Sequence, residues 1–443
     1  MENKLLNTPW GDSEINAVRA VTVGLITRGS SEEEVAVSLD ELDRLVETAG
    51  GGMFARVTQA RDIPDPACVL GKGKLSELAE LCRANGVGLV VFDCELTPSQ
   101  IRNIEDALSD DGSVMVIDRA MLILDIFALH AVSGEGKLQV ELAQLRYTAP
   151  RLIGKGKSLS RQGGGNIAMR GPGETKLETD RRHIERRVQY LKEQLKKLEA
   201  SRATMRKSRE RSSVTTAAIV GYTNAGKSTL LNYLTGAGIL AEDKLFATLD
   251  PTTRRFRLPC GEEILLTDTV GFIRNLPHQL VEAFRSTLDE LRYADIIIVL
   301  IDASDPESRS QLEVTKKLIS ELGAGDKPTI YVWNKCDKPA DRLAPVVWDN
   351  GSPVPASDVV CVSALTGEGI DSLVSRLEKA ALDGRRTVRF FIPNSEAGAL
   401  SRIYELANVT EVRYGEDGMT VDAVCDSKAR GSLAAYIMKD GEK

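Results

Sequence analysis

The sequence predicts an α/β protein in three parts: an N-terminal α/β domain with a long helical hairpin, a central domain with a mainly parallel sheet, and a small C-terminal α+β module. Three observations predict it. Short apolar runs alternate with amphipathic stretches through the first hundred or so residues, the rhythm of strands and covering helices. A Gly-x-x-x-x-Gly-Lys-Ser string at 221–228 stands between an apolar run and a helix start. Ile184, Val188, Leu191, Leu195 and Leu198 recur at spacings 4-3-4-3, a coiled-coil seam.

Residues 1–16 have no apolar pattern and are expected to be a flexible N-terminus. The N-terminal domain is expected over 17–135. Val21–Ile26 and Gly88–Phe92 read as strands, and the stretch Leu39–Val46 is amphipathic. Gly71-Lys72-Gly73-Lys74 lacks the spacing of a phosphate-binding loop and reads as a turn entering a helix at Leu75–Cys82.

The hairpin is expected over 136–212. Leu138, Leu142 and Leu145 share one helical face, and the second helix covers roughly 177–210. Antiparallel pairing of these two helices is expected; an intermolecular coiled coil is the alternative. Between them, residues 152–175 form a loop, of which 152–173 hold seven glycines, four basic residues and no acid. Glycine allows close backbone approach and basic side chains neutralise phosphates, so this tip suits a crowded, structured RNA. A solvated linker is the bland alternative. The net charge is −7, but residues 151–211 carry 18 Lys/Arg against 7 Asp/Glu, a local +11 that leaves −18 elsewhere. Such an asymmetry points to a local polyanion-binding element.

The central domain is expected over 213–383. Ala217–Val220 reads as a buried strand, and Gly221, Tyr222, Thr223, Asn224, Ala225, Gly226, Lys227, Ser228 and Thr229 form the phosphate loop and helix start. Backbone N–H groups and the helix N-terminus suit phosphate oxygens there. Lys227 would reach the β- and γ-phosphates and Ser228 would hold Mg²⁺. Downstream, Phe246, Ala247, Thr248, Leu249 and Asp250 lie in a switch-like stretch, in which Thr248 is favoured as a Mg²⁺ ligand while Thr252 and Thr253 stay open. Asp268, Thr269, Val270 and Gly271 end an apolar run; Asp268 would meet the metal through water and the Gly271 amide would sense the γ-phosphate. Lys227, Thr248 and Gly271 are therefore the candidate catalytic residues, and Ser228, Thr248 and Asp268 the candidate metal ligands.

Base recognition is expected from Asn334, Lys335 and Asp337, after the run Thr329–Trp333. A carboxylate can accept from guanine N1–H and the exocyclic amine, whereas adenine would leave Asp337 unpaired. Backbone N–H groups of Ser363, Ala364 and Leu365 would suit guanine O6. These motifs, in this order, are those of a P-loop GTPase domain. After Gly271 stands Phe272 in place of a water-orienting Gln, so slow basal hydrolysis is expected unless a partner completes the site. Asn224 resembles the Asn that assists a monovalent cation in some GTPases, which would implicate K⁺; simple loop packing is the alternative.

The C-terminal module, 386–443, is expected to hold strands near Val388–Ile392, Thr410–Tyr414 and Met419–Cys425, a helix near Ala397–Leu406 and a final helix over Ala429–Met438. It suits an RNA-associating appendage or a structural cap. Seven scattered cysteines without a C-x-x-C, and three histidines, argue against structural zinc and suit a reducing compartment. No apolar run approaches the ~20 residues of a membrane span, and the N-terminus lacks a signal-peptide pattern.

Further strings sharpen the reading: Leu96–Gln100, Asp118-Arg119, Ile123–Phe127, Gln139–Leu145, Arg170–Glu174, Asp180–Arg182 and Asp268–Ile273. With the nucleotide motifs they resemble the HflX family of translational GTPases over nearly the whole chain after residue 20. The resemblance implies a cytoplasmic protein, with peripheral membrane association through ribosomes, that binds the 50S subunit and splits stalled or idle 70S ribosomes in stress. It implies that the N-terminal domain and hairpin reach toward the peptidyl-transferase region, with 23S rRNA the expected partner of the basic loop. GTP and GDP are expected as substrate and product, and the chain is expected to be a monomer. A large-subunit assembly GTPase is one alternative function. A GTP-gated RNA-binding module with vestigial hydrolysis is the other.

Overall fold

The computed structural model describes residues 18–109, 111–152, 172–211, 214–236, 245–246, 249–274, 290–338, 348–349, 352–353, 359–382, 386–396, 398–415, 417–425 and 427–438. The chain forms two compact units: residues 1–197 with 240–251 and 270–288, and the remainder. The expected flexible N-terminus and most of the Gly-rich hairpin loop lie outside the described residues.

The first unit begins with β1 (Arg19–Ile26), α1 (Glu32–Thr48), β2 (Gly52–Ala60), α2 (Lys72–Asn85), β3 (Val87–Phe92), α3 (Pro98–Leu108), β4 (Met115–Asp118) and α4 (Arg119–His130). The four strands form a parallel sheet in the order β2-β1-β3-β4. Strand–helix alternation demands this, because parallel neighbours need a crossover that a helix provides. Val21, Val23, Val90, Phe92 and Val116 share a core with Leu75, Leu78, Ile101 and Ile104 from α2 and α3. The helix starts are written locally. Ser31 and Glu34 close a capping box on α1, and Thr97 and Gln100 close another on α3 with Pro98 in its first turn. The Asp118 carboxylate caps α4 at Met121 N–H, and also accepts from Leu96 N–H at 3.1 Å and from the Tyr147 hydroxyl. Buried Arg119 donates to Glu41, Asp93 and the Ser38 carbonyl, which satisfies its charge.

The hairpin follows as α5 (Gly134–Leu152) and α6 (Pro172–Arg211). Leu142, Leu145 and Leu191 are buried together, with Leu138, Ile184, Val188 and Leu195 packed against them. Arg187 forks onto Glu141 at 2.6 and 2.8 Å. The seam therefore closes within the chain, as expected for the hairpin. It ends earlier than the spacing suggested: Leu198 is exposed, since the 40-residue α6 outlasts the 19-residue α5.

The second unit holds β5 (Thr216–Gly221), α7 (Lys227–Thr235), β6 (Thr252–Arg257), β7 (Glu263–Asp268), β8 (Ile296–Asp302), α8 (Ser308–Glu321), β9 (Thr329–Asn334), a short pair β10 (Trp348–Asp349) and β11 (Ser352–Pro353), β12 (Val359–Cys361) and α9 (Ile370–Leu382). Its sheet runs β12-β9-β8-β5-β7-β6, parallel except for β6, which is antiparallel to β7. Apolar residues of β5, β7, β8 and β9 share a buried core with Leu230 and Leu231 of α7 and Leu373 and Leu377 of α9.

The C-terminal module comprises β13 (Arg386–Pro393), α10 (Ala399–Leu406), β14 (Asn408–Tyr414), β15 (Gly418–Cys425) and α11 (Ser427–Ser432). Its antiparallel sheet has the order β13-β15-β14. One expectation is corrected: the final helix does not run to Met438. It stops at Ser432, a 3₁₀ turn covers Ala434–Tyr436, and Ile437 bridges to Phe390. Met438 N–H donates to the Arg389 carbonyl at 2.9 Å, so edge pairing with β13 replaces the last helical turn.

Candidate nucleotide site

Five strings that lie apart in sequence, 221–229, 268–269, 302–304, 334–337 and 363–365, follow the carboxyl ends of the second unit's parallel strands. β5 ends at Gly221, whose φ of +154° and closeness to the Leu300 carbonyl exclude a side chain. Gly226 has φ +95°, and a Cβ there would strike the Asn334 amide. Gly226 leads into α7 with no side-chain cap, which leaves the first N–H groups of the helix for a ligand.

Lys227 is buried inside this loop. Its Nζ donates to the Tyr222 carbonyl at 2.8 Å and the Gly221 carbonyl at 3.3 Å. Burial pushes its ammonium down to about 8, with Lys335 adding to the fall and Asp268 opposing it. Ser228 Oγ donates to Asp268 Oδ2 at 2.6 Å. Asp268 is fully buried at the end of β7, and Thr269 Oγ1 anchors the next turn by donating to the Ile219 carbonyl at 2.8 Å. A hydroxyl and a carboxylate converging beside the phosphate loop match the oxygen donors that Mg²⁺ requires.

Asn334 is a strap. Its Nδ2 donates to the Ala225 carbonyl at 2.8 Å and its Oδ1 accepts from Ala364 N–H at 2.9 Å. One buried amide thus joins the phosphate loop, β9 and the 363–365 loop. Lys335, at φ +63°, pairs with Asp302 at 2.7 Å. A hydrogen bond with Ser363 holds the exposed Asp337 carboxyl below its ordinary range, helped by Lys338 and Lys335. The amides of Ser363 and Ala364 are engaged, by Glu368 and Asn334 respectively, and Leu365 is exposed.

Sequence reasoning missed Asp302. It also receives the Ser304 amide at 2.9 Å and hydroxyl at 2.6 Å. The available signal was Asp302-Ala303-Ser304 at the end of the apolar run 296–301.

Among the alternative threonines, Thr253 lies on β6 with its hydroxyl bonded to that of Thr267 at 2.9 Å, and Thr252 pairs in register with Asp268. Ala247 and Thr248 lie outside the described residues. Phe246, Leu249 and Asp250 belong to the first unit and are anchored there. Phe246 meets Phe127 edge-on with centroids 4.7 Å apart, and the Asp250 carboxylate accepts from Val132 N–H and Ser133 N–H at 3.0 and 2.7 Å. Val270, Gly271 and Phe272 also belong to that unit, where Val270 and Phe272 are buried.

Three family models match: a GTP-binding GTPase N-terminal region at 36–128, a GTP-binding GTPase middle region at 130–209, and a 50S ribosome-binding GTPase at 216–335. GTPase HflX of Lacrimispora saccharolytica is 48% identical over 94% of this chain and 95% of its own length. The chain belongs to the HflX family of GTPases. GTPase HflX of Caldanaerobacter subterraneus subsp. tengcongensis is 45% identical over 95% of this chain and 94% of its own length. That of Escherichia coli K12 is 43% identical over 86% and 87%. A solved GTP-binding protein from Sulfolobus solfataricus in complex with GDP aligns over 82% of this chain and 99% of its own, at 26% identity and TM-score 0.42. The GTPase HflX relatives and the GTPase family model over 216–335 make the protein a P-loop GTP hydrolase. No helix among the described residues is long and apolar enough to cross a membrane.

Proposed function

We propose that this HflX-family GTPase binds the large ribosomal subunit in its GTP state, separates stalled or idle 70S ribosomes under stress, and leaves when GTP is hydrolysed. The observation that carries the reading is a segment of local charge +11, residues 151–211, in the same chain as a guanine-nucleotide site. The matched 50S ribosome-binding GTPase model supports the same partner. Cationic side chains on α6 and in the loop before it would neutralise rRNA phosphates.

Within the nucleotide site, Lys227 would sit against the β- and γ-phosphates, and Ser228, Asp268 and Thr248 would hold Mg²⁺. The metal would neutralise charge on the phosphate oxygens. Asp337 would accept from guanine N1–H and its amine. The Leu365 amide is the candidate for guanine O6, because those of Ser363 and Ala364 are already engaged. Asn224, exposed at φ +61°, would offer its side chain to K⁺. Buried Phe272 supports slow intrinsic hydrolysis that the ribosome accelerates.

The test is steady-state GTP hydrolysis in potassium buffer with purified 50S and 70S particles, followed by sedimentation of 70S with the protein and a non-hydrolysable GTP analogue. Stimulation by both particles and conversion of 70S to subunits are expected. Stimulation by immature particles alone would replace splitting with subunit assembly. Absence of stimulation by every particle would sink the ribosomal reading. Lys227→Ala should lose nucleotide binding; unchanged GTP affinity would overturn the assignment of the loop.

A further inference from the structure

Two thiols sit back to back behind the base-reading loops. Cys336 lies between Lys335 and Asp337, and Cys361 ends β12 two residues before Ser363. Three contacts draw them together. Cys336 N–H donates to the Val362 carbonyl at 3.2 Å. Cys336 Sγ donates to the Trp333 carbonyl at 3.3 Å, and Trp333 is the register partner of Cys361 across the β12–β9 pair. The two side chains also share a hydrogen bond. Both cysteines are free; Cys361 is exposed and Cys336 half-buried.

We infer that Cys336 and Cys361 are an oxidation site, which a peroxide closes to a disulfide and so weakens the grip of the adjacent loops on guanine nucleotide. The Cys336 N–H reaches the carbonyl of Val362, the residue after Cys361, so the roughly 2 Å sulfur–sulfur bond closes with rotation of both side chains and a shift of the Cys336 backbone.

The chemistry balances. The accessible Cys361 thiolate attacks one peroxide oxygen, the O–O bond breaks, hydroxide leaves, and Cys361 becomes a sulfenic acid. The Cys336 thiolate then attacks that sulfur and displaces hydroxide as the S–S bond forms. Two thiols and one hydrogen peroxide give one disulfide and two waters; sulfur loses the two electrons that oxygen gains. Burial pushes the Cys336 thiol up to about 11, so Cys336 is the slow, resolving partner and closure should speed up as pH rises.

The consequence rests on reading Asp337 and the 363–365 loop as the base site. Asp337, next to Cys336, is bonded to Ser363, two residues after Cys361, so this one contact adjoins both thiols. Drawing Cys336 off the Trp333 carbonyl shifts the backbone that carries Asp337. Losing one charge-assisted hydrogen bond to the base lowers affinity about tenfold or more.

The test uses the full chain, hydrogen peroxide and a fluorescent GDP analogue. Peptide mass spectrometry without reductant should find the 336–361 linkage. Affinity should fall about tenfold on oxidation and return with dithiothreitol. Cys361→Ser, and separately Cys336→Ser, should bind like the reduced parent and show no response to peroxide. Absence of the linkage overturns the inference. So does a linkage that leaves affinity unchanged, or a Cys361→Ser protein that responds like the parent. If the reduced parent fails to bind the analogue, the base-site reading fails instead, and the linkage measurement still decides the thiol pair.

Discussion

The Asp250 carboxylate reaches back 117 residues to accept both the amide and the hydroxyl of Ser133. The Val132 amide adds a third bond, and the Ser133 hydroxyl in turn accepts from Gly136 N–H at 2.8 Å. The stretch between α7 and β6 is thereby tied to the corner between α4 and α5. The aromatic pair of Phe246 and Phe127 adds a second tie, and Phe246 is held at φ +58°, an unfavourable backbone for that residue. A stretch expected to respond to GTP is thus secured on either side of 247–248 by Phe127, Val132 and Ser133 of the first unit.

Asp250→Ala should release that tie. Three donors lose one acceptor, and the loss is comparable to removing a helix cap, about 1–2 kcal/mol. Amide hydrogen exchange should speed up at 132–136 and 245–250, while exchange at β8 and β9 stays as it was. Unchanged protection at both segments would show that the carboxylate holds nothing in solution.

Asn334→Asp separates the two arms of the strap. The carboxylate can still accept from Ala364 N–H but cannot donate to the Ala225 carbonyl, which it would face with like charge. Asn334→Ala removes both arms and strands buried groups, at a cost of about 2–3 kcal/mol. Both variants should lose guanine-nucleotide affinity, and only the Asp variant should improve as pH falls and its carboxyl protonates. Parent-like affinity in Asn334→Ala, measured by calorimetry, would remove the strap from the argument.

Asp302→Asn addresses Lys335. The pair is partly exposed, so its direct worth is modest, about 1 kcal/mol or less. Its larger effect is on position, since Lys335 leaves β9 in the left-handed region. Affinity for GDP should drop about fivefold with little change in melting temperature, and Asp302→Glu should recover part of it. Equal losses in the Asn and Glu variants, together with a large fall in melting temperature, would mean that Asp302 supports the fold and not the lysine.

Short-range chemistry was legible in the sequence. The glycines of 221–226 need positive φ, which is a local requirement; the room they need is set by Leu300 and Asn334, far along the chain. Some strings that carry the family resemblance are local for another reason. Thr97–Gln100 is a capping box and Asp118 caps the helix that follows it, whereas Arg119 is a buried cation whose partners Asp93 and Glu41 lie 26 and 78 residues away. What stayed illegible depended on the tertiary path. The partner of Asp250 lies just before another helix, the partner of Asp302 just past the end of β9, and the end of the Leu198 seam depends on the length of a different helix. The last helix was overextended because pairing of Ile437 with Phe390, a tertiary contact, outweighs helical periodicity.

Lys227 links the site to stability through pH. In the unfolded chain its ammonium titrates at 10.5, whereas burial brings it to about 8 in the folded protein. The folded state therefore releases the proton first. Below pH 8 both states hold it, and the folded state bears the full penalty of a buried charge, about 3 kcal/mol. Between about 8 and 10.5 the unfolded chain binds more protons, so this group's contribution to stability rises with pH and then levels off. Lys227→Met removes the charge and keeps the bulk. Without nucleotide, its melting temperature at pH 7 should exceed the parent's by about 5 °C, and the gap should narrow as pH approaches 10. The same variant should lose GTP affinity, because the phosphate charge would then have no ammonium opposite it. A Met variant less stable than the parent at pH 7, or a gap that ignores pH, would show that the two carbonyls and Asp268 already offset the cost of burial.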